Sequence, residues 1–509
     1  PVKDHLSAPL AAIYRDGKKD VQVRGFAADT LADYLSDDAE GLFDLLADAN
    51  EKQLGPMFGK LSKHRERAIA LGNAEVAKTS KQDASEADKE ALAMRQANAA
   101  VLLLRMDAAE NVWPLLKHSP DPRVRSYIIH WLSPQGGDPQ TIIARYEQET
   151  DVTIKRALLL CLGEFELADS DKQPLIEKLL DVYRSDPDAG LHAAAEWLLR
   201  KWGQAEQVAV IDMELQQNEE QLVAGKDDQR QWYVNSQGQT FVILDAGEFL
   251  MGSPEGEVGH GPNETLHRRK IGRRMAIATK EVTHEQWRGF SQANPTMGWK
   301  SDQKQLKDFI LSDDSPMGGI TWYEAAWYCN WLSEQEGIPK DEWCYEPNDK
   351  GQYGPGMKAK KKFWELSGYR LPTEAEWEFA CRAGASTSRY YGVTEKLLPN
   401  YAWYQVNANA HTWPVASLKP NDFGFFDMQG NVWEWAYDVF SGSPSSSKDV
   451  APDTPNTKAI SETDSRLLRG GSISDHSSSV RSAHRLNFQP ANRNDLVGFR
   501  PSRTYHLSP

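Results

Sequence analysis

Residues 424–435 read Gly-Phe-Phe-Asp-Met-Gln-Gly-Asn-Val-Trp-Glu-Trp, with two glycines, two acids and two tryptophans in one short stretch. Neither the helical period nor the two-residue strand period runs through it. Gly430 and Asn431 are residue types that hold positive φ at low cost. The stretch therefore reads as a tight, ordered loop, and the chain around it must form a loop-built domain rather than a regular bundle or barrel. Two further glycine-centred segments follow, Arg466-Leu467-Leu468-Arg469-Gly470-Gly471-Ser472 and Gly498-Phe499-Arg500-Pro501. Apolar residues flank the Gly470–Gly471 pair, which suits a strand broken by a bulge or by a close backbone approach.

At 509 residues the chain is expected to form two or three domains, each with its own core. Its formal net charge of -15 argues against a generic nucleic-acid surface, which needs clustered Lys and Arg. The short basic run Lys358-Ala359-Lys360-Lys361-Lys362 reads as a solvated loop. No apolar run reaches the ~18 residues of a membrane span. No signal peptide is visible, and the missing initiator Met suggests a fragment of a longer protein. Cys161, Cys329, Cys344 and Cys381 are too dispersed for a disulfide framework or a CxxC zinc site, so buried free thiols are expected.

In residues 1–203 a phrase recurs: an Asp, then an apolar or small residue at +3 and a basic or small one at +4. Asp20, Asp121, Asp151 and Asp186 lead the four copies. Positions +7, +8 and +11 are apolar: Ala27, Ala28, Leu31; Ile128, Ile129, Leu132; Leu158, Leu159, Leu162; and Ala193, Ala194, Trp197. That spacing predicts helices with one buried face. Each leading Asp is placed to cap its helix, with Pro122 and Pro187 at the first helical position. Stacked helix pairs of this kind form an α-solenoid, and the pattern resembles HEAT-like repeats. Such a solenoid serves either as a partner surface or as a rigid spacer. The polar run 70–90 reads as a long exposed helix or an insertion.

Residues 204–230 read as a polar linker, mostly a solvated helix. From 231 to 509 the texture changes to short strands, aromatics and turn residues. Residues 240–244 and 248–253 are expected to pair as a hairpin. Thr283, Thr321 and Thr373 are expected to cap helices, with Glu324 and Glu376 completing capping boxes for the last two.

Several motifs then occur in order: Gly247-Glu248-Phe249-Leu250-Met251-Gly252-Ser253, Glu281-Val282-Thr283, Thr321-Trp322-Tyr323-Glu324-Ala325-Ala326, Tyr369-Arg370-Leu371-Pro372-Thr373-Glu374-Ala375-Glu376-Trp377-Glu378, Gly430-Asn431-Val432-Trp433-Glu434-Trp435, Arg469-Gly470-Gly471-Ser472 and Gly498-Phe499-Arg500. Together they resemble the formylglycine-generating enzyme, or sulfatase-modifying factor, family over residues ~235–505. The resemblance implies a multidomain chain: an all-α HEAT-like solenoid followed by a loop-rich α+β domain related to C-type lectins. Helical repeats, a polar linker and Trp232-Tyr233-Val234-Asn235 also resemble the carboxy-terminal half of large bacterial serine/threonine kinases. There is no HRD loop and no GxGxxG with a following VAIK, so a kinase domain, if the protein has one, is expected upstream.

Enzymes of the family resemble one another in two copper(I)-binding cysteines, at the third and eighth positions after the Arg-Gly-Gly-Ser serine. Here those positions are Asp475 and Val480, neither a soft ligand, and no cysteine follows Cys381. The copper oxidase chemistry thus loses its ligands. Related iron-dependent sulfoxide synthases carry a His-x3-His pair, which the twelve histidines here do not form. A His476/His484/Asp475 iron site is the remaining redox alternative. The third reading is binding: Ser472, Asp475, His476, Ser478, Arg481, His484, Arg485 and Asn487 form a polar, loop-borne mix suited to a protein, peptide or small ligand. In the family this surface borders the substrate groove, and the variable proteins of diversity-generating retroelements place their variable residues there. Arg469, Arg481, Arg485 and Arg500 can alternatively pair with acids. The resemblance also implies calcium, held by the carboxylates of Asp427 and Glu434 and the backbone carbonyls of Gly430 and Val432, with a second site near Asn400 and Tyr401 that lacks an identifiable acid. The expected protein is a calcium-stabilised, non-catalytic binding or regulatory module of a larger bacterial signalling protein.

Overall fold

The structure, a computed structural model, describes residues 2–49, 54–81, 83–217, 230–295, 310–442, 449–457 and 459–506. The chain divides into two compact units, Pro1–Gln173 with Tyr391–Val393, and Pro174–Tyr390 with Thr394–Pro509.

The first unit is helical. Asp20 caps Val21–Tyr34 by accepting from the Gln22 N–H, and Asp151 caps Val152–Leu162 by accepting from Thr153 and Ile154. Both are the bonds expected of a leading Asp, since first-turn N–H groups have no partner within the helix. Asp121 stands one residue further out. Its helix is Arg123–Trp131, Pro122 occupies the cap, and Asp121 accepts from the Arg123 N–H at 3.3 Å. The polar run 70–90 is neither one long helix nor one insertion. Arg65–Val76 ends there, and Glu86–Arg105 starts there under a Ser85 cap.

In the second unit the Asp186 copy is offset further. Asp188 takes the cap of Ala189–Lys201, while Asp186 accepts from the Asp188 N–H at 2.9 Å. Two acids compete here, and the one adjoining the first turn wins. The buried face is unaffected by these shifts. All twelve residues at the +7, +8 and +11 positions are buried.

The helix Ala205–Gln217 lies where a solvated linker helix was expected, yet it buries Val208, Ile211 and Leu215. The rest of that predicted linker, 218–229, lies outside the described residues. The segment beyond it packs back on the preceding helices. His192 stacks between Tyr183 and Trp232, with ring centroids at 4.3 and 3.6 Å, and the Trp232 indole donates to the Asp186 carbonyl at 2.8 Å.

Three main sheets follow. A five-stranded sheet runs in the order Trp232–Val234, Thr240–Leu244, Met275–Ala278, Ser502–Thr504, Tyr369–Arg370. A three-stranded sheet joins Ala451–Pro452, His267–Ile271 and Gly247–Met251. A four-stranded sheet joins Leu486–Phe488, Arg466–Arg469, Trp433–Val439 and Val497–Gly498. Thr240–Leu244 and Gly247–Met251 therefore do not form a hairpin. The first is buried at every position and belongs between neighbours, while the second alternates and keeps one face toward water.

Thr283, Thr321 and Thr373 each form a complete capping box, at the starts of His284–Ala293, Trp322–Gln335 and Glu374–Arg382. The core between helices and sheets is aromatic, with Trp287, Phe290, Trp322, Tyr328, Tyr369, Trp435 and Phe499 all buried. Truncating any one of these tryptophans to Ala is worth about 3–5 kcal/mol.

Candidate functional site

Residues 424–432 form the tight loop expected from composition, but Trp433-Glu434-Trp435, expected to belong to it, open the strand Trp433–Val439 because the sheet supplies ladder partners on both sides. Asp427, Gly430 and Asn431 all have positive φ, at 52°, 84° and 56°. At Gly430 a Cβ would stand 2.2 Å from the Trp403 carbonyl oxygen, so no other residue fits without moving backbone. The loop is pinned by the Gly430 N–H on the Gly470 carbonyl and by the Asn431 N–H on the Trp403 carbonyl. The Asn431 side chain exchanges hydrogen bonds with the Trp413 backbone at both N–H and C=O.

The family arginines are spent inside the domain. Arg500 is fully buried and uses every N–H: two on the Glu434 carboxylate at 2.7 Å each, and three on the carbonyls of Ala278, Thr279 and Phe426. Trp377 donates a further bond to Glu434 at 2.9 Å. Arg370 pairs with Glu376 at 2.6 and 2.7 Å, and Arg469 with Glu378. Arg481 lies on Glu264 at 3.0 Å through both terminal nitrogens, with Glu257 and the carbonyls of Gly259 and Ser478 around it. Arg485 lies on Glu374 at 2.6 and 3.0 Å. Burial works against the Glu264 carboxylate, but hydrogen bonds from His484 and Arg481 outweigh it and hold the pKa well below the usual range.

The segment 472–487 consequently has two faces. Ser472 is buried, and its N–H and Oγ both donate to the Asp475 carboxylate, at 2.9 and 2.5 Å. Val480 is fully buried beside Gly471. Arg481 and Arg485 face inward, as just described. His476 is exposed, and Asp475, Ser478, His484 and Asn487 are half-buried. His484 points its Nδ1 at Glu264, 3.3 Å away, and packs 5.7 Å from the Trp433 ring, while the Asp475 carboxylate is turned back onto Ser472. The iron alternative therefore finds His484 on Glu264, Asp475 on Ser472 and His476 exposed. Among the described residues no group of three or more His, Cys, Asp or Glu side chains is gathered to hold a metal ion.

The calcium expectation rests on two carboxylates and two carbonyls, a set of another kind. Asp427 accepts from the Ala416 N–H at 2.7 Å, and its pKa is pushed up to about 6 by burial, against that bond and the Arg500 charge. Glu281, on the neighbouring Glu-Val-Thr motif, is buried with both carboxylate oxygens lacking a hydrogen-bond partner. Burial and the charge of Asp427 hold its pKa well above the carboxylate range, although Arg500 pulls it down. Three buried acids thus share Arg500. Both Glu434 oxygens are taken by Arg500 and Trp377, so Asp427 and the unpartnered Glu281 are the acids of this cluster with coordination capacity to spare. At the second expected site, Asn407 ties the turn instead, donating to the carbonyls of Pro399 and Ala402 at 3.3 and 3.0 Å.

All four cysteines are buried free thiols. Burial pushes Cys381 up to about 11 and Cys344 to about 12, so neither is a ready thiolate. The letters Asp422-Phe423-Gly424 match a kinase tripeptide but form a turn, in which the Asn421 side chain accepts from the N–H groups of Phe423 and Phe425.

Sequence reasoning did not single out Trp403 and Trp413. They stack face to face, with centroids 4.1 Å apart and planes 8° apart, and both are half-buried. The Gln405 N–H on the Asp475 carbonyl joins their loop to the 472–487 segment. No periodic signal marks such a pair, since it lies in one irregular loop.

Helices at the amino-terminal end are followed by a loop-rich α+β domain whose motif acids and arginines are paired internally. The chain belongs to the sulfatase-modifying factor enzyme 1-like domain family, which matches residues 229–505. It is 38% identical over 287 residues to a formylglycine-generating enzyme of Streptomyces coelicolor, covering 51% of this chain and 87% of that one. It is 28% identical over 279 residues to serine/threonine-protein kinase pkn1 of Chlamydia pneumoniae, where the match spans 51% of this chain and 37% of the kinase. Among solved structures it matches Treponema denticola variable protein 1 at 27% identity and a TM-score of 0.44, over 52% of this chain and 95% of that one. Among the described residues no helix is long and apolar enough to cross a membrane.

Proposed function

We propose that the chain is a non-catalytic binding or regulatory module of a larger bacterial signalling protein, with HEAT-like repeats as its helical half and a calcium-stabilised, C-type-lectin-like domain as its second. One observation carries this reading. The two positions where the family's oxidases hold copper are occupied by Asp475, bonded to Ser472, and by buried Val480. The outward side of 472–487, with His476, Ser478, His484 and Asn487, and the Trp403–Trp413 pair beside it, offers polar and aromatic contacts suited to a protein or peptide. The partial match to a kinase-associated region favours a signalling context.

Calcium, when bound, supplies positive charge and tightens the loop. Asp427, Glu434 and the carbonyls of Gly430 and Val432 are the groups to hold it. The competing reading is a metal-dependent oxidoreductase using copper or non-haem iron, and its support is the 38% identity to a formylglycine-generating enzyme.

Elemental analysis of the purified protein, with a cysteine-peptide oxidation assay under added copper(I), separates the two. Calcium alone and an unchanged peptide agree with the binding module. Stoichiometric iron or copper, or formylglycine in the peptide, rules it out.

A further inference from the structure

We propose that the second unit binds a small monovalent anion, chloride or a short carboxylate, on Arg466 and the neighbouring Tyr323 hydroxyl. Among the described residues, Arg370, Arg469, Arg481, Arg485 and Arg500 each meet an acid, and Arg466 meets none. Yet Arg466 is only 3% exposed. Its Nη1 donates to the Tyr437 carbonyl at 2.6 Å, and its buried Nε has no hydrogen-bond partner. The guanidinium lies over the Trp322 ring at 4.7 Å and the Tyr437 ring at 5.6 Å from the centroids. Ring faces steady a cation without cancelling its charge.

Tyr323 belongs to the same aromatic cluster. The Trp322 ring lies 6.2 Å from Tyr323 and 6.1 Å from Tyr437, centroid to centroid. Tyr323 is 4% exposed, and its hydroxyl is also buried without a hydrogen-bond partner. The other polar groups of the cluster are engaged: the Trp322 indole donates to the Ala436 carbonyl at 3.0 Å, and the Tyr437 hydroxyl to the Asn456 carbonyl at 2.6 Å. An N–H and an O–H are thus left over in one buried place, and each calls for an acceptor.

The nearby acids do not supply one. Asp438 acts on Arg466, but its carboxylate accepts from the Glu374 N–H at 2.6 Å. Desolvation and the charge of Asp453 push the Asp438 pKa up to about 7, which makes it a poor counter-ion at neutral pH. Glu462 acts on Tyr323 from an exposed position and forms no ion pair with Arg466. A single uncancelled guanidinium matches one negative charge, and an acceptor-only ion can take both leftover donors at once. Arg466 opens the strand Arg466–Arg469, whose register against Trp433–Val439 shifts before Leu468. An anion there would fix the start of the strand that leads into the 472–487 segment.

The test is chloride NMR line broadening by the full chain, with bromide and formate as competitors. Saturable excess broadening is expected for the wild type. Displacement by bromide alone identifies a halide site, and displacement by formate as well identifies one that accepts carboxylates. Arg466→Met should weaken chloride binding about tenfold or more, and Tyr323→Phe about threefold or more. Tyr323→Phe also decides the matter if Arg466→Met does not fold. In chloride-free buffer its melting temperature should equal or exceed that of the wild type, because it deletes an unpaired buried hydroxyl, and its rise on adding chloride should be smaller. Absence of saturable broadening by the wild-type chain overturns the proposal. So does unchanged chloride affinity in either variant when folded. The readout is independent of the metal content and peptide oxidation that test the proposed function.

Discussion

Arg500 and Glu434 form a two-point ion pair, 2.7 Å at each contact, in which neither residue has more than a trace of solvent exposure. The pair joins the Gly-Phe-Arg segment near the carboxy terminus to the strand that ends the Gly-Asn-Val-Trp-Glu-Trp motif, and the three carbonyls on Arg500 draw in Ala278, Thr279 and Phe426. Motif residues that look like an active-site inventory in one dimension thus act as the domain's internal fasteners.

Breaking that pair from one side leaves a buried charge unpaired. Arg500→Met or Glu434→Gln should each lower unfolding free energy by about 3–5 kcal/mol. The double variant should cost less than the two singles added. Urea denaturation followed by tryptophan fluorescence measures all three, and full additivity would show that the residues act separately.

The acid cluster makes stability depend on pH. Asp427 has a folded pKa of about 6 against an ordinary 3.8, so between those values the folded state binds more protons than the unfolded one. Stability contributed by the protonated acid is therefore lost as pH rises from about 4 to 6, and Glu281 acts in the same direction. In calcium-free buffer, Asp427→Asn should flatten this decline. Added calcium should raise the wild-type melting temperature at neutral pH and leave the variant nearly unmoved. Equal calcium shifts in both proteins would remove Asp427 from the site.

His192 has the opposite sign. Burial lowers its pKa from 6.5 to about 3, although Glu196 and the Tyr183 carbonyl favour the charged form. The unfolded state thus binds the extra proton as pH falls below 6.5, and stability drops through that range. His192→Phe should reduce this acid sensitivity in melting curves between pH 4 and 6.5, measured against the wild type in the same buffers.

The 472–487 segment should separate by face. Arg481→Met removes the partner of Glu264 and should destabilise by about 3–5 kcal/mol. His476→Ala, at an exposed position, should stay within about 0.5 kcal/mol of wild type. Thermal unfolding of both variants reads this directly, and a partner-binding defect without unfolding is expected only from the outward residues.

Gly430→Ala should be far worse than a surface change, because the φ of 84° and the Trp403 carbonyl both oppose a Cβ. A soluble, folded variant with a wild-type melting temperature would contradict the tight loop described above.

Local rules made much of this protein legible in one dimension. Helical spacing picked out the twelve buried positions of the Asp-led repeats, and the three threonine caps follow from residues three apart. Positive φ at Gly430 and Asn431 was readable from residue type, and the dispersed cysteines are free and buried. Each of these depends on the few neighbours a short stretch supplies. Competition and long-range choice were not readable that way. Asp188 displaced Asp186 as a cap, and Thr240–Leu244 left Gly247–Met251 for another sheet because its burial on both faces required two neighbours. The choice of Glu264 for Arg481, the orphaned Glu281 and the Trp403–Trp413 stack likewise needed the whole fold. Sequence determined which elements form and where the charges reside; only tertiary structure decided which charge meets which, because an arginine selects its acid by desolvation and geometry across segments far apart in the chain.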